Sequence, residues 1–418
     1  MQSRPVFALT LMLFALTGPA ARLTAQETNT PVAAPRPAAP AYDKRLIPPW
    51  ANTAEPVDPG NHADYDPSLG DLPDGGGQLF DQPGHSFGPS DGMQVNLATG
   101  TEEYVPDPDM TGHNSIGTDA VFRRAYRSDR ALAGYGSPGL SLGWVHNYDV
   151  TLSAISPGKW EGLVLNHCAG CNELLKPTLD ATGQPTGKFQ TGMPCEVVGQ
   201  PGAVPGQWSG ISLTWRDRTH WLFLPFGNGT YVLSGITNLA GNGFYLQWDE
   251  ARRLRMVVDT KAKKPLLTLL YDTNGHLTDI KDILGLTVHY RFGPVPGQPM
   301  PALLAVSTPF DTASPKALAR YQFSYFGSGP LLLHTISVPD PGGPGLSTST
   351  IQYGAGKVTA HIDAEGNQHI LTYADGHTRV EVKGPDGKVA QFWTQNFDTA
   401  GRDIGITDAL GHSTHISY

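Results

Sequence analysis

Apolar and polar residues alternate most regularly in residues 271–292, YDTNGHLTDIKDILGLTVHYRF. Leu286, Val288, Tyr290 and Phe292 occupy every second position, with Thr287, His289 and Arg291 between them. A period of two belongs to a strand with one apolar and one polar face. Asn274-Gly275 and Leu284-Gly285 punctuate the stretch ten residues apart. Glycine at such points supplies the positive φ of a tight hairpin turn. The same grammar predicts strands at 211–216 and 219–224 around Asp217-Arg218, and a hairpin at Asn228-Gly229. Shorter strands are expected within 95–100, 119–128 and 139–152.

The hairpin unit repeats. From Asp282, Gly285 lies three residues on and Phe292 seven beyond it. The same offsets join Asn238, Gly241 and Trp248, then Asp363, Gly366 and Tyr373, then Asp408, Gly411 and Tyr418. A second turn precedes the first by ten residues, matching Asp272 to Asp282, Gly275 to Gly285, Asp398 to Asp408 and Gly401 to Gly411. Trp248-Asp249 opens an earlier copy in which Arg252 stands where glycine is expected. A turn Asp or Asn bonds its own backbone, and a terminal aromatic packs on the next hairpin. One hairpin is marginal alone, but stacked hairpins bury a shared face. The expectation is an all-β chain of repeated antiparallel hairpins forming a long curved or spiralling sheet. The copies are too few to close a shell, so the sheet is expected to stay open.

Composition agrees with strands and turns. Gly (49) and Pro (36) make about a fifth of the 418 residues, and charged residues only 16%. Residues 1–25 read as a signal peptide: Arg4, a short apolar run, then Leu23-Thr24-Ala25 at the cleavage point. Removing them deletes Arg4 and Arg22, taking the net charge from −9 to −11. An acidic body lacks the basic patch that nucleic-acid binding needs, and no later segment is long and apolar enough to span a membrane. Residues 26–90 read as a Pro/Ala/Gly-rich linker, disordered where the prolines are densest. Residues 91–235 form an N-terminal β domain and 236–418 the repeats.

Three ordered pieces carry a resemblance. They are VNLATG at 95–100, a strand ending Arg124-Ala-Tyr126-Arg-Ser128, and a glycine-led Trp144-Val-His146-Asn-Tyr148 segment within 139–152. Together with the dipeptide Tyr271-Asp272, and its variants Trp248-Asp249 and Phe397-Asp398, they resemble bacterial Rhs/YD-repeat proteins, specifically the domain preceding the repeats plus several repeats. The resemblance implies a hollow spiral β shell. In longer members, a self-cleaving core and a variable toxin lie downstream, and this chain shows neither. It implies a non-enzymatic exported scaffold, part of an encapsulating or cell-surface shell. The partner would be a downstream Rhs C-terminal chain or a cargo, and the location the periplasm, cell surface or extracellular space.

Candidate chemistry is sparse. No HExxH, G-x-S-x-G, Walker or dinucleotide pattern occurs, so no catalytic residue, cofactor or metal is expected. Cys168, Cys171 and Cys195 allow one local disulfide with a spare thiol, a metal site completed by His167, or free thiols. The linker acids Asp58, Asp64, Asp66, Asp71, Asp74 and Asp81 lack calcium-loop spacing. Trp208, Trp215, Trp221, Trp248 and Trp393 support the alternative of a module for cell-wall or surface carbohydrate, with core packing as the plainer role. A hydrolase is the remaining alternative.

Overall fold

In the computed structural model, the described residues are 86–87, 93–166, 172–308, 320–340, 345–399 and 401–417. They are nearly all β, with thirty strands and one short helix, Ser128–Leu132. The expected signal peptide, along with Cys168, Cys171 and Tyr418, lies outside them, as does the expected linker except for Ser86–Phe87, which form a strand paired with Val95 and Asn96 rather than linker.

Thr230–Thr237 organises the rest. Its sequence, TYVLSGIT, is buried at every interior position. One edge pairs along its length with His220–Gly227. The other edge is divided: Thr230, Tyr231 and Val232 pair with Ser153, Leu152 and Thr151, whereas Gly235, Ile236 and Thr237 pair with Tyr245, Phe244 and Gly243. A strand flanked on both edges and covered on both faces reads as a continuous apolar run rather than an alternating one.

The first half of the fork closes a ring. Thr151–Ala154, Leu163–Asn166, Asn172–Leu179, Pro185–Gln190, Cys195–Pro201, Trp208–Trp215, His220–Gly227 and Thr230–Thr237 pair in that order, each antiparallel to the next. The pairing of Thr230–Thr237 back to Thr151–Ala154 joins the ends into a barrel. Its interior mixes aliphatic residues such as Leu152, Leu175, Ile211 and Leu213 with large aromatics. Trp208, Trp215, Trp221 and Phe223 are buried, with Trp215 and Trp221 edge to face at 5.2 Å and Trp160 against Trp208 at 4.7 Å. The open sheet expected from the sequence is therefore incomplete as a description. Ring closure rests on a pairing between strands far apart in the chain, which no local turn signal encodes.

The second half of the fork starts a strip. Fifteen strands follow, from Gly243–Trp248 to Ser413–His415, each antiparallel to its predecessor. Alternation here is clean. In Thr287–Gly293 the buried residues are Val288 and Tyr290, with Thr287, His289 and Arg291 facing outward. The inward row is mostly aliphatic, including Leu254, Val257, Leu267, Leu269, Ile280 and Leu333, with aromatics such as Tyr290 and Phe323 among them.

The inward row packs on residues 93–150. Met93–Asn96, Thr101–Tyr104, Arg124–Arg127 and Trp144–His146 form a small sheet with Ser86–Phe87 at its edge. Met110–Gly112 and Ala120–Phe122 make a separate hairpin beside it. Val95, Tyr104, Phe122, Tyr126, Trp144 and Tyr148 are fully buried. Every residue of Thr101–Tyr104 is buried, glutamates included. The span 91–235 thus divides near Val150 into a core segment, which the strip wraps, and a ring.

Candidate functional site

The repeat acids sit in one recurring turn. Asp272 Oδ1 accepts the backbone N–H groups of Asn274 (2.9 Å) and His276 (2.8 Å). Asp282 takes Leu284 and Leu286, and Asp408 takes Leu410 and His412, at the same two offsets. Asn238 and Asp249 do likewise, and Asp363 and Asp398 accept from Asn367 and Arg402. The third residue after the acid donates its backbone N–H to the acid's carbonyl in every case. That residue is left-handed: Gly241, Gly275, Gly285, Gly366, Gly401 and Gly411 have φ from 72° to 87°. Arg252 adopts φ 58° without glycine's freedom, a strained position for a side chain, and its guanidinium reaches Tyr135 Oη at 3.3 Å.

The repeat aromatics have a shared task as well. Trp248 Nε1 donates to the Leu233 carbonyl (2.7 Å), Tyr271 Oη to Leu254 (2.7 Å) and Tyr373 Oη to Val358 (2.6 Å). Each ring lies on its hairpin and its polar tip satisfies a carbonyl of the preceding strand. Phe292 lacks a donor and stacks on the His276 ring at 4.8 Å. Cys195 is a free thiol, and burial, followed by Glu173, pushes it up and keeps it protonated.

The structure brings together a different set of groups, a polar seam between core segment and strip. Asp109 pairs with Arg124, both side chains fully buried, and accepts a hydrogen bond from Tyr290 Oη of the strip at 2.6 Å. Burial would pull the Arg124 guanidinium down, but Asp109 overcomes it and holds the charge. Arg124 also lies over the Trp144, Tyr321 and Phe323 rings at 4.8–5.5 Å, a set of cation–π contacts in a water-free site. Further along, Tyr126 Oη donates to the Leu331 carbonyl and accepts from Leu333 N–H, both at 3.1 Å. Trp144 Nε1 donates to Tyr325 Oη at 2.8 Å, which donates to Leu303 O. Glu102 Oε2 meets His361 Nε2 at 2.5 Å, both buried. Desolvation raises the Glu102 carboxyl, against the opposing pull of His361. Thr378 Oγ1 donates to the Leu97 carbonyl.

At the start of the strip the seam holds a second cluster. Asp149 accepts from Tyr135 Oη and Ser137 Oγ, each at 2.6 Å, and faces Arg252 at 3.7 Å. His146 beside it is buried between Phe122 (5.3 Å) and Trp248 (6.1 Å, stacked). Neither ring nitrogen has a hydrogen-bond partner among the described residues.

The residues of the Arg-x-Tyr-x-Ser and Trp-x-His-x-Tyr segments thus face the strip or brace what faces it. Ser128 Oγ accepts the Glu102 backbone N–H, and Tyr148 packs on Phe244 edge to face. Sequence reading did not single out Asp109, Glu102 or His361. The only signal was two adjacent glutamates within a four-residue strand. Chemically, the seam pairs charges and satisfies carbonyls. Among the described residues no group of three or more His, Cys, Asp or Glu is placed to hold a metal ion.

No protein-family model and no curated protein matches the chain. Among solved structures it is similar to the crystal structures of TcdB2-TccC3-Cdc42 and TcdB2-TccC3-TEV, at 10% identity over 77% and 80% of its length and TM-scores of 0.18 and 0.17. The chain spans 23% of the length of those chains. Likeness this distant leaves the functional reading to the geometry.

Proposed function

We propose that the chain is an exported, non-enzymatic β scaffold, in which a ring and a core segment carry a strip of Rhs/YD-type hairpin repeats as part of a wall that encloses or presents another polypeptide. The observation that supports this reading is how the repeat residues are used. The recurring acids bond their own turns, and the recurring aromatics cap carbonyls of the preceding strand. Residues spent on building a unit make that unit extensible, and extensible hairpin sheets are quasi-one-dimensional building material.

The test is to express the tagged chain in its own cells, fractionate them, and identify polypeptides cross-linked to the strip. The expected result is recovery outside the cytoplasm, with signal-peptide cleavage and a specific polypeptide cross-linked to strip residues. Cytoplasmic retention without cleavage, or turnover in a hydrolase screen that survives purification, would overturn the scaffold reading. A glycan array separates the carbohydrate alternative: specific binding lost on Trp248→Ala or Trp393→Ala would favour it.

A further inference from the structure

The seam has two histidine contacts of opposite design. His361 is paired with Glu102 at 2.5 Å, with His369 opposite it on the neighbouring strand. His146 has no partner for either nitrogen, yet it sits at 2% exposure between a core-segment ring and the strip's Trp248. Such a site accepts a neutral imidazole and rejects a charged one, because a buried cation needs a partner. The charged groups that act on it are Asp149 on its own segment and Arg252 from the strip, and Arg124 is its register partner on the adjacent strand. Asp149 already accepts two hydroxyls and faces Arg252. Arg124 is committed to Asp109, and Arg252 adds like charge.

We propose that His146 is an acid-sensitive latch that holds the first hairpin of the strip to the core segment. Protonating its ring puts a charge in a buried site without a hydrogen-bond partner, and relief of that cost frees Gly243–Trp248 and Leu254–Asp259, while the Glu102–His361 contact keeps the later hairpins in place. Opening is therefore polar, beginning at the fork.

The direction of the titration agrees. Burial lowers His146 from 6.5 to about 4, with Asp149 opposing and Arg252 assisting. The unfolded chain binds the proton first, so this contact loses stability as pH falls from 6.5 towards 4. Glu102 has the opposite sign: its raised carboxyl makes acid relieve a cost at the other end. The latch is independent of the scaffold reading above, since it concerns two bodies of one chain.

Hydrogen exchange on the whole chain, corrected for the intrinsic pH dependence of exchange, tests it. Between neutral pH and about pH 4, residues 243–259 should exchange at least about tenfold faster, the worth of one pKa unit, while residues 357–383 keep their protection. His146→Phe, which preserves the stack and cannot charge, should move that transition to lower pH or remove it. His146→Gln serves the same purpose if the phenylalanine does not fold. Glu102→Gln should leave the transition in place. The latch is wrong if a non-titrating variant retains the wild-type midpoint. It is also wrong if the wild type loses protection at 357–383 together with or before 243–259, an outcome that needs no variant.

Discussion

The ring and the strip are built from the same kind of antiparallel hairpin, yet one closes on itself and the other does not. The ring closes on itself through Thr230–Thr237 and Thr151–Ala154 and fills its bore with its own tryptophans. The strip's inward side chains, Leu267, Ile280 and Leu333 among them, are buried without such closure. It takes its core from residues 93–150. Closure removes the two unpaired edges of a sheet, whereas a strip must be held in curvature by something it wraps. One non-local pairing, rather than strand propensity, separates the two outcomes.

That contrast can be broken at defined points. The largest effect is expected from Asp109→Ala, which leaves the Arg124 cation buried without its partner and should cost about 3–5 kcal/mol. Denaturation with residue-resolved exchange should show the strip losing protection before the ring; a uniform loss would mean the two bodies form one cooperative unit. Trp221→Ala should cost a similar amount, about 3–5 kcal/mol, by opening a cavity in the ring, and its loss should begin in residues 151–237. Tyr126→Phe strands the Leu331 carbonyl and the Leu333 N–H and should cost about 1–3 kcal/mol, confined to the strip strands near it. Asp282→Ala removes two turn hydrogen bonds from an exposed hairpin and should cost about 1–2 kcal/mol, with neighbouring hairpins unaffected.

The smallest effect at low pH comes from Glu102→Gln. The Glu102 carboxyl is raised from 4.5 in the folded chain, so its contribution is fully present below 4.5 and is lost as pH rises through the folded value. The amide variant should match the wild type in acid and show a flatter stability profile above it. Identical slopes for the two chains would remove Glu102 from the account.

The turns were legible because they are local. An acid and a glycine three residues on contain most of the geometry seen at Asp272, Asp282 and Asp408, and the all-β class follows from their spacing. Arg252 at a glycine position was legible as an exception, though not the Tyr135 contact that accompanies it. The fork was not legible, since its two half-edges pair with strands on either side of it in the chain. The seam was hidden for another reason. Glu102 and Arg124 carry the marks of surface residues, and strip residues His361, Tyr321 and Phe323 help to bury them. Sequence patterns report the face a strand turns to its own sheet, not a second layer supplied from elsewhere.

The divided edge of Thr230–Thr237 has an evolutionary corollary. Because the barrel is complete without anything beyond that strand, whole hairpins can be inserted or deleted downstream without disturbing it. A one-residue indel within a strip strand would flip its faces, but loss of a complete unit would not. Lineages carrying this architecture should therefore differ in length by multiples of a hairpin after Thr237, and hold their length before it.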